Sequence, residues 1–154
     1  MATYTRQMQA IVEEYRADGQ PWPATAKTIA TWAILTRRWE LPPSAAVNKC
    51  AADIAEAMRE EYTTDAKGRR VRVKHATSVW RDGEQTVLWH DLRDASREDM
   101  QMAFQQRRRA IVSDCRQLKT DVDSYNDAHP EAEPIQMVFD FGMDLAEIEA
   151  AEAA

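Results

Sequence analysis

Lys67, Arg69, Arg70, Arg72 and Lys74 place five basic side chains and no acid within eight residues of a chain whose net charge is -6. The chemistry open to such a run is phosphate binding. Guanidinium and ammonium groups neutralise phosphates and displace counterions, giving affinity with little sequence information. The alternation also matters, because an extended strand projects Arg70, Arg72 and Lys74 from one face and Val71 and Val73 from the other. Such a face can lie along a phosphate backbone. The plainer alternative is a solvated strand whose charges blunt a sheet edge. A second cluster, Arg107-Arg108-Arg109, points in three directions from mid-helix and reads as solvent-exposed or paired within its helix, or else as a continuation of the phosphate-binding footprint.

Residues suited to bond-making chemistry are scattered. His75, His90 and His129 form no His-x-x-x-His pair, and Cys50 and Cys115 fall far apart on the apolar side of helical patterns, as reduced core residues do. With only four glycines there is no phosphate-cradling Gly-x-x-x-x-Gly-Lys-Ser loop, and the hydroxyls sit in no nucleophile elbow. The chain is therefore expected to be no enzyme and to use neither a metal nor another cofactor.

Charge is unevenly distributed. The last 25 residues, from Pro130, hold seven acids and no Lys or Arg, and setting those seven aside leaves 19 of the 26 acidic residues against 20 basic ones. The body is thus near neutral and the tail carries the acidity. No stretch approaches the ~18 apolar residues of a membrane span, and the start lacks the apolar core of a signal peptide. A soluble, cytoplasmic protein is the expectation.

The elements that must position the basic run follow from periodicity. Tyr4, Met8, Ile11, Val12 and Tyr15 predict a helix over 4–17, ended by Asp18-Gly19 and the prolines beyond it. Ala26, Ile29, Ala30, Ala33 and Ile34 predict a second helix from about Ala24 or Thr25 to Trp39, broken by Leu41-Pro42-Pro43. Ser44 is a suitable N-cap for a third helix, in which Val47, Cys50, Ala51, Ile54, Met58 and Tyr62 form a stripe. The period then changes to two. Residues 69–81 and 84–91 predict strands joined by Asp82-Gly83, a pair suited to the positive φ of a type I′ turn. Ser96 opens a helix over 96–127, in which Phe104, Ile111, Leu118 and Tyr125 recur every seven residues and Met100, Cys115 and Val122 widen the stripe. At ~48 Å this helix outreaches a small domain, so part of it is expected to pack on a second copy through Phe104, Ile111, Leu118, Val122 and Tyr125. The five tryptophans are expected to pack within the protein. The fold class is mainly α with a small β-hairpin, organised as a domain over 1–93, a dimerisation helix over 94–129 and an acidic tail over 130–154.

Three helices with a tight corner, a basic hairpin and then a long helix form an order that resembles the winged helix-turn-helix, with a long dimerising helix as in the PadR-like regulators. The resemblance covers residues 4–91 and rests on element order rather than a residue signature. It implies double-stranded DNA as partner, with Ser44, Asn48 and Lys49 at the start of the third helix reaching base edges. Asp53, Glu56 and Glu60 on the same helix repel phosphates, so either only the first turn of that helix touches DNA or most contacts come from the Arg37-Arg38 pair and the hairpin, with Lys67, Arg69, Arg70, Arg72, Lys74 and Arg81 as its bases. The implied function is that of a dimeric transcriptional regulator or DNA-maintenance accessory.

The tail supports a different reading. Gln136-Met137-Val138-Phe139-Asp140-Phe141 is apolar at alternate positions and resembles the glutamine-plus-hydrophobics peptide with which bacterial proteins dock on the replication sliding clamp, through Gln136, Phe139 and Phe141. A protein-interaction adapter recruiting a partner through this segment and the long helix is the alternative function. The simplest expectation for the segment is that it folds back on its own domain or its dimer mate.

Overall fold

The computed structural model describes residues 3–154. The chain is mainly helical, with two small antiparallel hairpins, and divides into two compact units, one ending at Ala55 and the other running from Glu56 to Ala154.

In the first unit Thr3 caps α1 (Tyr4–Ala17) by accepting from the Arg6 amide, and Thr25 caps α2 (Ala26–Leu35) by accepting from that of Thr28. Tyr15 is the anchor. It is buried, donates its hydroxyl to the Pro21 carbonyl at 2.8 Å, and meets the Trp32 ring edge-on. The second helix stops four residues earlier than its apolar pattern predicts, because Arg37 adopts the left-handed conformation at φ 57° and the Arg38 amide turns back to the Ala33 carbonyl. This reversal brings Trp39 onto α1, where its indole N–H donates to the Tyr4 hydroxyl at 2.9 Å. Met8, Ile11, Ile29, Ala33 and Trp39 line an apolar cleft of about 200 Å³.

Helix α3 (Ala45–Arg59) buries no side chain. Its predicted core stripe is instead solvent-facing, with Val47 73% and Ile54 53% exposed, and Cys50 exposed as well. A third helix seated on the first two, the packing of a winged helix, is not what α3 displays. Ser44 provides no side-chain cap either; its hydroxyl accepts from the Asn48 side chain at 3.2 Å.

The second unit begins with β1 (Tyr62–Thr64) pairing β2 (Arg70–Arg72), and continues with β3 (Lys74–Arg81) pairing β4 (Glu84–Asp91). The single strand expected over 69–81 is thus two strands in different hairpins. Val73 separates them. Its amide donates to the Glu61 carbonyl, its carbonyl accepts from the Leu92 amide, and its side chain is buried. The β3–β4 turn forms as its Asp-Gly pair predicts, with positive φ at Asp82 and Gly83.

Ser96 caps α4 (Arg97–Ala128) by accepting from the Asp99 amide, with Glu98 and Asp99 in the first turn complementing the helix dipole. The first three turns pack on β3. Ala103 is buried, Phe104 meets His75 edge-on, and Gln106 clips the strand by accepting from the Ser78 amide at 2.7 Å and donating to its carbonyl at 3.0 Å. The tail then folds back along the far end of α4, where the Asn126 side-chain amide exchanges two hydrogen bonds with the Ile135 backbone. A last helix, α5 (Gly142–Ala153), not expected from the sequence, carries four of the seven tail acids.

Candidate nucleic-acid interface

Each base of the 67–74 run meets a different environment. Asp65 organises the β1–β2 turn, accepting from the Lys67 and Arg69 amides and from the Arg69 guanidinium at 2.7 Å. Those bonds, the Arg69 amide first, hold the Asp65 carboxyl below the usual range. Arg69 is therefore neutralised locally. Lys74 lies between Glu61 at 2.9 Å and Asp91 at 3.3 Å, and the bond to Glu61 foremost raises its pKa. Asp91 is also gripped by the Arg93 guanidinium through two nitrogens, which drives its own pKa down. The break at Val73 puts Arg70 and Arg72 in one hairpin and Lys74 in the next, while Arg72 and Lys74 still line the same cleft.

What remains cationic is a different set. Arg59, Arg70, Arg72 and Arg107 pair with no carboxylate among the described residues, and all four line two adjoining clefts of the second unit. The first, about 260 Å³, is bounded by Arg59, Arg72, Trp89, Gln106 and Arg107; the second, about 450 Å³, by Tyr62, Arg70, Arg72, Phe104 and Arg107. Arg72, His75 and Arg107 belong to both. Two of the guanidiniums lie over aromatic rings, Arg70 at 3.8 Å from the Tyr62 centroid and Arg59 at 5.5 Å from that of Trp89. Such stacking orients a guanidinium while leaving its N–H donors free, the arrangement suited to forked hydrogen bonds with phosphate oxygens. Buried His75 holds the shared wall by bonding through Nε2 to the Arg72 carbonyl at 2.9 Å.

The other expected contacts fall elsewhere. Arg38 pairs with Glu14 at 2.7 Å and lies over the Trp32 ring, while Arg37 is exposed at the end of α2. Lys49 pairs with Asp53 at 2.6 Å, and Ser44 and Asn48 bond each other. All of these sit in the first unit. Lys67 is exposed in the β1–β2 turn of the second, and Arg81 is exposed at the end of β3. Arg59 is not among the contacts that the sequence suggests, whereas Arg107 belongs to the mid-helix Arg107-Arg108-Arg109 cluster. Arg59 ends a helix whose acids mask it. Arg107 has a further signal, its place three residues after Phe104 on the helix face that meets the hairpin.

Of the predicted dimer residues, Phe104 is partly engaged by His75, whereas Ile111, Leu118 and Tyr125 are 53%, 45% and 53% exposed. Val122 lies in a groove that also includes Lys119, Ile135, Met137 and Phe139, so the tail covers one flank of the stripe. Phe139 is half-buried and meets Phe141 edge-on, and Gln136 is exposed. Among the described residues no group of three metal-ligating side chains gathers, and no helix is long and apolar enough to cross a membrane.

No family model, curated protein or solved structure matches this chain.

Proposed function

We propose that the protein binds double-stranded DNA through the arginine-lined face of its second unit, holding the phosphate backbone rather than reading base edges. The observation that carries this reading is the convergence of four unpaired arginines from three separate elements, α3, β2 and α4, around two adjoining clefts. These four remain without a carboxylate while nearby Lys74, Arg69 and Arg93 are bound to one. Phosphate oxygens are acceptors that need no particular base, and the forked guanidinium matches them. Ser44 and Asn48 of the expected base-reading set are tied to one another, which favours a sequence-tolerant accessory over a regulator with a fixed operator.

A second copy supports this role. The exposed Ile111, Leu118 and Tyr125 repeat at heptad spacing beyond the reach of the hairpin, and a parallel or antiparallel mate presents the same stripe in return. Dimerisation along α4 doubles the number of phosphates held. Electrophoretic shift of a duplex at two salt concentrations tests the binding, with molar mass in solution measured beside it. Salt-sensitive retardation by a dimer is the expected result, and no binding at low salt overturns the reading.

A further inference from the structure

Trp80 is the most exposed of the five tryptophans, at 74%; Trp22 follows at 48%, and Trp32, Trp39 and Trp89 are half-buried. It stands two residues before Asp82 of the two-residue Asp82-Gly83 turn, so the hairpin presents a large flat ring near its tip. Burial does not account for it there. Strand alternation explains its surroundings: Lys74, Ala76, Ser78 and Trp80 share one hairpin face with their partners Asp91, Trp89, Val87 and Gln85. The opposite face, with His75 and Thr77 buried, packs on α4 through Phe104 and through His90 near Asp99. The first face therefore carries Trp89 beneath Arg59 at its base, exposed Val87 in the middle and Trp80 at the tip.

Trp89 lies opposite Ala76, four residues from Trp80, so the two rings are spaced ~13 Å along the strand at ~3.3 Å per residue. That spacing admits a few nucleotides of an extended strand. The carboxylates nearest the tip do not obstruct the face, since Asp82 lies in the turn and Glu84, paired with Arg81, projects from the other side.

Building on the DNA-binding reading above, we infer that Trp80 is a stacking platform for an unpaired base, so that the preferred ligand is DNA with a single-stranded stretch beside its duplex. The phosphates of the flanking strand run along Arg59, Arg72 and Arg107, and the free base lies on the indole ring. Base stacking on an aromatic residue is sequence-tolerant because every base offers a π face, and a backbone-tracking cationic groove beside it is the usual companion. In an intact duplex both faces of each interior base are occupied by neighbours, so Trp80 adds nothing there without unstacking them.

The test uses the full chain with two fluorescein-labelled probes, a blunt 20-base-pair duplex and the same duplex with a six-nucleotide 3′ overhang, at low salt. Wild type is expected to bind the overhang probe about tenfold more tightly than the blunt one. Trp80→Ala is expected to remove that preference and leave blunt-duplex affinity unchanged, with Trp80→Phe retaining most of it; the exposed position makes all three chains comparable in fold. Equal wild-type affinity for both probes, or an equal loss on both in Trp80→Ala, overturns the stacking role while leaving duplex binding intact. Failure of wild type to bind either probe removes the DNA-binding reading itself.

Discussion

The two ends of α4 use the same secondary structure for opposite purposes. Its first three turns are committed: Ala103 is buried, Phe104 meets His75, and Gln106 satisfies the amide and carbonyl of Ser78 at the open edge of β3. Its far half has, among the described residues, only the tail along one flank, held by Asn126, and leaves Ile111, Val112, Leu118 and Tyr125 about half exposed. Apolar spacing alone does not distinguish these halves. A heptad stripe says that a helix needs a partner, and it takes the hairpin's polar edge to show where the intrachain partner stops.

That contrast can be broken from either side. The largest stability effect belongs to the committed end and the junction that feeds it. Val73→Ala empties a buried site between the two hairpins and is expected to cost roughly 1–3 kcal/mol, read from chemical denaturation. Gln106→Leu comes next. It leaves the Ser78 amide and carbonyl without their partner and is expected to destabilise by about 1–2 kcal/mol, visible as a lower melting temperature and faster amide exchange at Ser78. At the far end the signs differ. Leu118→Asp is expected to leave the stability of the monomer within ~0.5 kcal/mol of wild type while converting dimer to monomer in sedimentation equilibrium. A full-sized stability loss in that variant, with unchanged molar mass, identifies an intrachain partner for the stripe.

The smallest expected effect is on acid stability. Asp65 and Asp91 both have carboxyls held below the ordinary value of 3.8, Asp65 chiefly by the Arg69 amide and Asp91 chiefly by the Arg93 guanidinium. A depressed folded-state pKa contributes stability that is present above the unfolded value and lost as pH falls through the folded one. The second unit is therefore expected to weaken progressively below pH ~4, and Asp91→Asn to flatten that dependence in a pH series of thermal melts. An unchanged slope in that variant places the acid sensitivity elsewhere.

Signals in the chain are legible where the chemistry is local. Ser96 and the Asp82-Gly83 turn act as their types predict, and the long helix begins at its predicted cap. The basic run is legible as composition but not as geometry. Alternation over 69–81 is compatible with one strand or two, and only the long-range bonds of Val73 to Glu61 and Leu92 decide for two. The candidate site itself is assembled by tertiary contact from residues 59, 70, 72 and 107, of which only Arg59 belongs to no basic cluster in the sequence. Lys74 shows the converse, since the acids that neutralise it are 13 and 17 residues away. The exposed stripe of α3 likewise shows that helical spacing predicts a face and not its burial.

On the proposed reading the unpaired arginines, rather than the basic run as such, hold the phosphate backbone. The most direct measurement is the salt dependence of duplex affinity for Arg72→Gln/Arg107→Gln beside Lys74→Gln/Arg69→Gln. The first pair is expected to weaken binding sharply at low salt and to make the slope of log affinity against log salt shallower by about 0.9 for each phosphate no longer neutralised. The second pair, whose charges are already answered by carboxylates, is expected to change that slope little. Equal effects of the two pairs, or a larger effect in the second, show that the unpaired arginines do not hold the phosphates.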